Sequence, residues 1–471
     1  MSQAREPMQR IVVVGDGQVG VLAALACRLV LPQCEIAVLA CPADRAAFAD
    51  RAVTALPFTN RLHQRLGITE EDLVRQAGGS HRLITRLLGW GGEGHSGCFS
   101  YGAESDAARD ADFGQRWGGG SRSDTDGAAP GSLAQILAEE GRFAPPPGGA
   151  HTPLQGVEYA MRWNMPAYRD MLIRKAQQAG IAYVQGSIAE VTITEAGEVA
   201  GLQLDQGQAL EPDLYIDCSG PGAILASQIA GFERNEWSAA LPIRALAFDP
   251  PGQAMLALED RAQLMPHGWS MQIAGRDGLQ IVHGLTDQNA EAANAIAFSP
   301  FALRESWIGN VVAIGDSAAL FEPLGNFNLD LAHRQIDLLL ELLPGNSTDP
   351  LERAEYNRRA ALMADRVRDT LGVFYAAPAA SDLFGDSQQS VTLSRWIDQF
   401  TRRGRLPFAE EAPLLTEELR SLLSALGIKS GPSALARAST GDGTAFTARA
   451  EAALRFAPPY GHWVQQVMGG S

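Results

Sequence analysis

Four apolar residues, Ile11 to Val14, run straight into Gly15-Asp16-Gly17-Gln18-Val19-Gly20, and an apolar, alanine-rich stretch continues to Val30 ahead of Pro32. An unbroken apolar run predicts a strand covered on both faces, and the glycines predict a sharp turn into a helix. A second strand is predicted over Glu35–Leu39. Helical spacing follows from Ala43 to Trp90: through Phe58–Leu66, through a helix that Thr69 caps ahead of Glu70, Glu71 and Asp72, and through a third over Ser80–Trp90. Residues 91–150 lose the periodicity, are rich in Gly, Ala, Asp and Pro, and read as loop, densest at Trp117-Gly118-Gly119-Gly120. Order returns at Val157, with an amphipathic helix closed by Gly180. Four strand runs come next, 181–186, 188–194, 200–205 and 213–220, and predict a hairpin meander whose last strand ends in Ser219-Gly220.

Between Pro221 and Phe301 strand and loop signals are mixed, after which Val311–Ile314 forms another apolar run ended by Gly315-Asp316. The segment Glu322-Pro323-Leu324-Gly325-Asn326-Phe327-Asn328 leads into a helix over Leu329–Leu343, and from Asp349 onward the pattern is helical and arginine-rich. These positions carry the candidate chemistry. In a Gly-x-Gly-x-x-Gly turn the first glycine permits the bend, the second admits a pyrophosphate, and the third lets helix and strand pack closely; an ordinary strand-to-helix turn gives the same letters. The acid that would hold a ribose at the end of the second strand is missing, since the chain reads Leu39-Ala40-Cys41-Pro42. Asp316, at the mouth of a strand, can accept a hydrogen bond from a ribityl hydroxyl, and amides at the helix start after it face a flavin carbonyl or an anion.

Bulk properties narrow the class. At 471 residues two or three lobes are expected, and 46% apolar with 20% charged residues describes a soluble globular protein. The net charge of -16 disfavours nucleic acid and anionic membranes as partners. No apolar run reaches the ~20 residues of a bilayer span, and the first residues lead into a strand rather than a signal-peptide core. Cys27, Cys34, Cys41, Cys98 and Cys218 have neither zinc nor disulfide spacing, which predicts buried thiols in a reducing cytoplasm. His81, His95, His267 and His283 share no ligand spacing, so no metal is expected.

Taken together, IVVVGDGQVG, RLHQRLGITEEDLVRQAGGSHRLITRLLGW, DLYIDCSG, GWSMQIAGRDG, AIGDSAALFEPLG and FTRRGRLPF resemble the flavin-dependent tryptophan halogenases over nearly the whole chain. The resemblance implies an α/β fold: a Rossmann-like FAD-binding domain of the hydroxylase type with a mixed sheet over residues 1–344. Substrate-covering segments interrupt it near 43–150 and 221–300, and a helical region occupies 345–471. It implies FAD reduced by a separate flavin reductase, oxygen as oxidant and an aromatic or indole-like substrate; a homodimer is compatible with it. It sets the cofactor against Gly15, Gly17, Gly20, Ile188, Gly315, Asp316 and Leu329, and the substrate near Trp269, Phe327 and Asn328. The family's relay lysine falls at Arg82, which stays protonated and is a poor nucleophile. The family's glutamate falls at Gly325, and a second glutamate at Val53. Met271 and Ala274 replace the second Trp and the Pro of the family's Trp-x-Trp-x-Ile-Pro motif. No catalytic residue is therefore assigned, and halogenation is not expected. A catalytically silent ligand-binding relative is the alternative; an NAD-dependent dehydrogenase fits the glycine turn but not Gly315-Asp316.

Overall fold

The computed structural model describes residues 6–41, 44–102, 132–146, 151–286, 294–385, 388–431 and 444–469. The chain divides into two compact units, each assembled from three separated segments. Met1–Asp72, Trp163–Ala239 and Ile296–Val367 form the first; Leu73–Arg162, Ala240–Ala295 and Arg368–Ser471 form the second.

Strand β1 (Arg10–Val14) lies inside the six-stranded sheet of the first unit. The order across the sheet is Trp307–Ile308, Val311–Ala313, Leu214–Asp217, β1, β2 (Glu35–Ala40) and Ala182–Gln185. Every pairing is parallel except the short edge strand Trp307–Ile308. Ile11, Val12, Val13 and Val14 are each at most 1% exposed. Burying a Val or Ile side chain contributes about 1.5–3 kcal/mol, so this run anchors the sheet. Helix α1 (Gln18–Val30) follows the glycine turn and ends before Pro32.

The expected four-strand meander is corrected. Ala182–Gln185 and Leu214–Asp217 join the parallel sheet beside β2 and β1, and only Ile188–Ile193, Val199–Leu204 and Ala209–Leu210 form a separate antiparallel sheet. Leu214, Tyr215 and Ile216 are apolar in succession and wholly buried, as a central parallel strand requires. Three helices complete the part of this unit that matters here: α3 (Phe58–Arg65), Met165–Gln178 and Phe327–Glu341. Asn164 starts the second of them, its Oδ1 accepting from the Ala167 amide at 3.1 Å.

In the second unit six strands run in the order Ala245–Phe248, Gln280–Leu285, Gly268–Ile273, Glu259–Met265, Ile84–Leu88 and Ser96–Ser100. The helix expected over Ser80–Trp90 is instead two strands, Ser80–Arg82 and Ile84–Leu88. Ser80–Arg82 pairs with Ala160–Arg162, and Ile84–Leu88 pairs on both sides. Strand partners on each edge and the β-branched pair Ile84-Thr85 override spacing that a helix would share. Within the stretch read as loop, Ser96–Ser100 is a strand and Leu133–Glu139 a helix capped by Ser132, whose Oγ accepts from the Gln135 amide at 3.1 Å. Trp117 lies outside the described residues. No helix among the described residues is long and apolar enough to cross a membrane.

Candidate cofactor site

The glycine turn joins β1 to α1, and its three glycines answer to different constraints. Gly15 has φ +114°, and a Cβ on it would overlap the Cys218 carbonyl; a Cβ on Gly20 would overlap the Gly15 carbonyl. Both are required by the close packing of strands and helix. Gly17 is different, because a Cβ there would overlap the carboxylate of Asp50. Asp50 belongs to the four-residue helix α2 (Phe48–Arg51) and its Oδ1 accepts from the Val19 amide at 3.0 Å, at the start of α1. Gln18 holds the same element, its Nε2 donating to the carbonyls of Ala49 at 2.7 Å and Ala52 at 2.8 Å. Asp16, between the glycines, is bound by Arg169 and Tyr183.

Asp316 faces α2 from the opposite side of the chain's order. Its Oδ2 accepts from the Ala49 amide at 2.7 Å, while its buried Oδ1 has no hydrogen-bond partner among the described residues. Burial first, then the charges of Asp50 and Asp44, raise the Asp316 carboxyl well above the usual carboxylate range. Part of Asp50 reaches the surface, but its carboxylate is enclosed. Burial and then Asp16 lift its pKa to about 6, against the pull of the Val19 amide and of Arg169. A buried carboxylate oxygen without a donor is costly, and it suits a hydroxyl such as those of a ribityl chain. The turn at the start of α1 suits a pyrophosphate. The residues therefore fit FAD, with the side chain of Asp50 lying where phosphates would be expected.

Gly315, at φ +67°, donates its amide to Gln335 Oε1 at 2.9 Å. Gly325 and Asn326 are left-handed at φ +74° and +63° and turn the chain into the helix Phe327–Glu341. The Phe327 ring fills the space a side chain at Gly325 would need. Asn328 donates from Nδ2 to the Phe321 carbonyl at 2.7 Å, and Leu329 is fully buried one residue on. Ile188 begins the antiparallel strand Ile188–Ile193, in a different sheet from β1.

Arg82 and Trp269 belong to the second unit. Arg82, Arg162 and Asp260 are each at most 1% exposed. Asp260 serves both arginines: Arg82 Nη1 donates to Oδ2 at 3.1 Å, and Arg162 Nε stands 3.1 Å from Oδ1. Oδ1 also accepts from the Ala274 amide at 3.0 Å, and Arg82 Nη2 donates to the Tyr101 hydroxyl at 2.8 Å. A proline at 274 would have no N–H to offer. Burial depresses the Arg162 guanidinium, and Asp260 counters it. Trp269 is buried with its indole against Gly284, opposite it on the next strand. It is packed as core, and its Nε1 has no partner among the described residues.

Reading the sequence missed Asp50, Asp217, Arg162 and Asp260. Asp217 closes the strand beside β1, with Ser219 N–H and Oγ–H donating to Oδ1 and the Leu225 and Ala226 amides to Oδ2. A lone charge inside a strand-like run, as in Ala160-Met161-Arg162-Trp163, was the available signal for the buried charges. Nothing local marks Asp50.

A family model described as tryptophan halogenase matches residues 10–433. The tryptophan 7-halogenase KtzQ of Kutzneria sp. (strain 744) is 26% identical over 250 residues, covering 48% of this chain and 47% of the relative. The tryptophan 6-halogenase SttH of Streptomyces toxytricini is 26% identical over 282 residues, covering 54% and 53%. The chain thus spans about half the length of the curated relatives it matches. Among solved structures, Xcc4156, a flavin-dependent halogenase from Xanthomonas campestris, superposes with a TM-score of 0.85 at 22% identity, covering 98% of this chain and 99% of the other. BrvH, a flavin-dependent halogenase from Brevundimonas sp. BAL3, gives 0.84 at 22% identity with the same coverage. These two likenesses establish the fold.

Proposed function

Because the chain belongs to the tryptophan halogenase family, we propose that it is an FAD-dependent oxidoreductase that works with reduced FAD and oxygen on an aromatic or indole-like small molecule. A separate flavin reductase supplies the reduced cofactor. The observation that carries the reading is the spare carboxylate oxygen of Asp316 beside the glycine turn of β1 and α1. In this reading the amides at the start of α1 hold the pyrophosphate, Asp316 takes a ribityl hydroxyl, and the first amides of Phe327–Glu341 face the flavin ring. FAD, when bound, supplies the electron transfer and the activation of oxygen. The five cysteines are free thiols, which agrees with a cytoplasmic location.

Titration of the protein with FAD, followed by flavin fluorescence, tests the reading directly. Saturable binding is expected, and its absence at high micromolar FAD would overturn it.

Halogenation of tryptophan is not part of the proposed activity. Arg82 is committed to Asp260 and Tyr101 and is not the amine that the relay needs, while Gly325 offers no carboxylate. General acid–base groups contribute about 10² to 10⁴ each, so losing both should abolish the reaction. With reduced FAD, oxygen, bromide and tryptophan, mass spectrometry should find no added halogen; robust bromination would disprove this part. The commitment of Arg82 also favours a second reading, a silent relative that binds an aromatic ligand. Substrate-dependent oxygen consumption in the presence of a flavin reductase decides between the two.

A further inference from the structure

We propose that α2 is an internal occupant of the dinucleotide seat, so that FAD enters only when the segment around Asp50 lifts away. The inference rests on the reading that this cradle takes FAD. One contact that a dinucleotide would need is already made by this short element, since the Asp50 carboxylate holds the Val19 amide; the Ala49 amide ties the same element to Oδ2 of Asp316 and leaves Oδ1 spare. A carboxylate and a phosphate share charge and acceptor chemistry, and the space over Gly17 has room for only one of them. Phe48 packs edge-on against Phe298, ring centroids 5.1 Å apart, which anchors the first residue of α2 and leaves Ala49–Ala52 as the part that moves. Gln18 is the latch, since it grips two carbonyls of that part.

Lifting α2 returns a charged carboxylate to water, and the groups facing Asp50 set the pH at which this is easiest. They are Asp16 in the turn, Arg169 on Met165–Gln178, Asp316 and Cys218. The seated carboxyl has its pKa raised from 3.8 to about 6, so protons favour the seated form and charging it favours release. FAD affinity should therefore rise by about tenfold between pH 5 and pH 7, and this part of the pH dependence should vanish in Asp50→Asn.

The test is an FAD fluorescence titration of the full chain as wild type, Asp50→Ala and Asp50→Asn, with thermal melting of each protein before FAD is added. Asp50→Ala should bind FAD about tenfold more tightly or better, because the contact to the Val19 amide no longer has to be broken. Asp50→Asn, neutral like the protonated carboxyl, should at pH 7 bind FAD no more tightly than wild type does at pH 5. The cofactor-free Asp50→Ala protein should melt at lower temperature than wild type. If Asp50→Ala melts cooperatively yet binds FAD no better than a wild type that itself saturates, the occupant is overturned and the FAD reading stands. If none of the three proteins binds FAD, the FAD reading fails and takes the occupant with it.

Discussion

Asp260 is the counter-charge for two buried guanidinium groups, and its own second oxygen is steadied by a backbone amide that exists because residue 274 is alanine. Removing one member of a buried charge cluster costs more than the cluster contributes when whole. Asp260→Asn should lower the unfolding free energy by about 3–5 kcal/mol, measured by urea denaturation. Ala274→Pro should be destabilising in the same assay by about 1–3 kcal/mol, since it strips the donor from Oδ1. Restoring the family's glutamate meets an obstacle in the backbone. Gly325 has φ +74° and the Phe327 ring against it, so Gly325→Glu should cost about 1–3 kcal/mol in strain alone. A melting temperature equal to wild type would show that the turn can rearrange.

At the scale of elements, α3, Met165–Gln178 and Phe327–Glu341 meet around two buried histidines. His63 lies 2.6 Å from the Tyr168 hydroxyl, His333 lies 2.7 Å from Thr59 Oγ1, and each ring keeps one nitrogen without a partner among the described residues. Burial depresses both, His63 from 6.5 to about 3. Depressed folded values mean that the unfolded chain takes up the protons first. The stabilisation is complete above pH 6.5 and is lost as the pH falls toward the folded values. Between pH 7.5 and 5.5 each histidine should remove roughly 1.4 kcal/mol of stability. The difference between wild type and His63→Gln isolates this from Asp50 and Asp316, whose raised values act with the opposite sign. An identical pH dependence in the two proteins would refute it. The same elements show what could be read from the chain and what could not. β1, α1 and the Gly315-Asp316 turn obey local rules of apolar run, glycine and helix start, and the chain alone displays them. Ser80–Leu88 obeys its neighbours, because strands 259–265 and 96–100 decide its backbone, and so its spacing misleads. Asp50 reaches the Val19 amide across 31 residues of chain, a contact that no window of sequence contains.

For the whole molecule, anything that binds the folded form and not the unfolded one adds RT ln(1 + [L]/Kd). FAD at a hundred times its Kd should therefore raise stability by about 2.7 kcal/mol, seen as an upward shift of the thermal midpoint. No shift under conditions where fluorescence reports saturation would mean that the unfolded chain binds equally well. The sheet that carries the cradle also sets a timetable. β1 pairs with Leu214–Asp217, which pairs with Val311–Ala313, so strands side by side in space are made far apart in time. At about 5–20 residues per second, roughly 10 to 40 seconds separate the emergence of Val14 from that of its sheet partner Asp217 on the ribosome. During that interval an apolar strand waits without one flank of its sheet, and the nascent chain needs protection there more than anywhere later. A cell short of chaperones should lose this protein during synthesis, before its finished stability has any chance to matter.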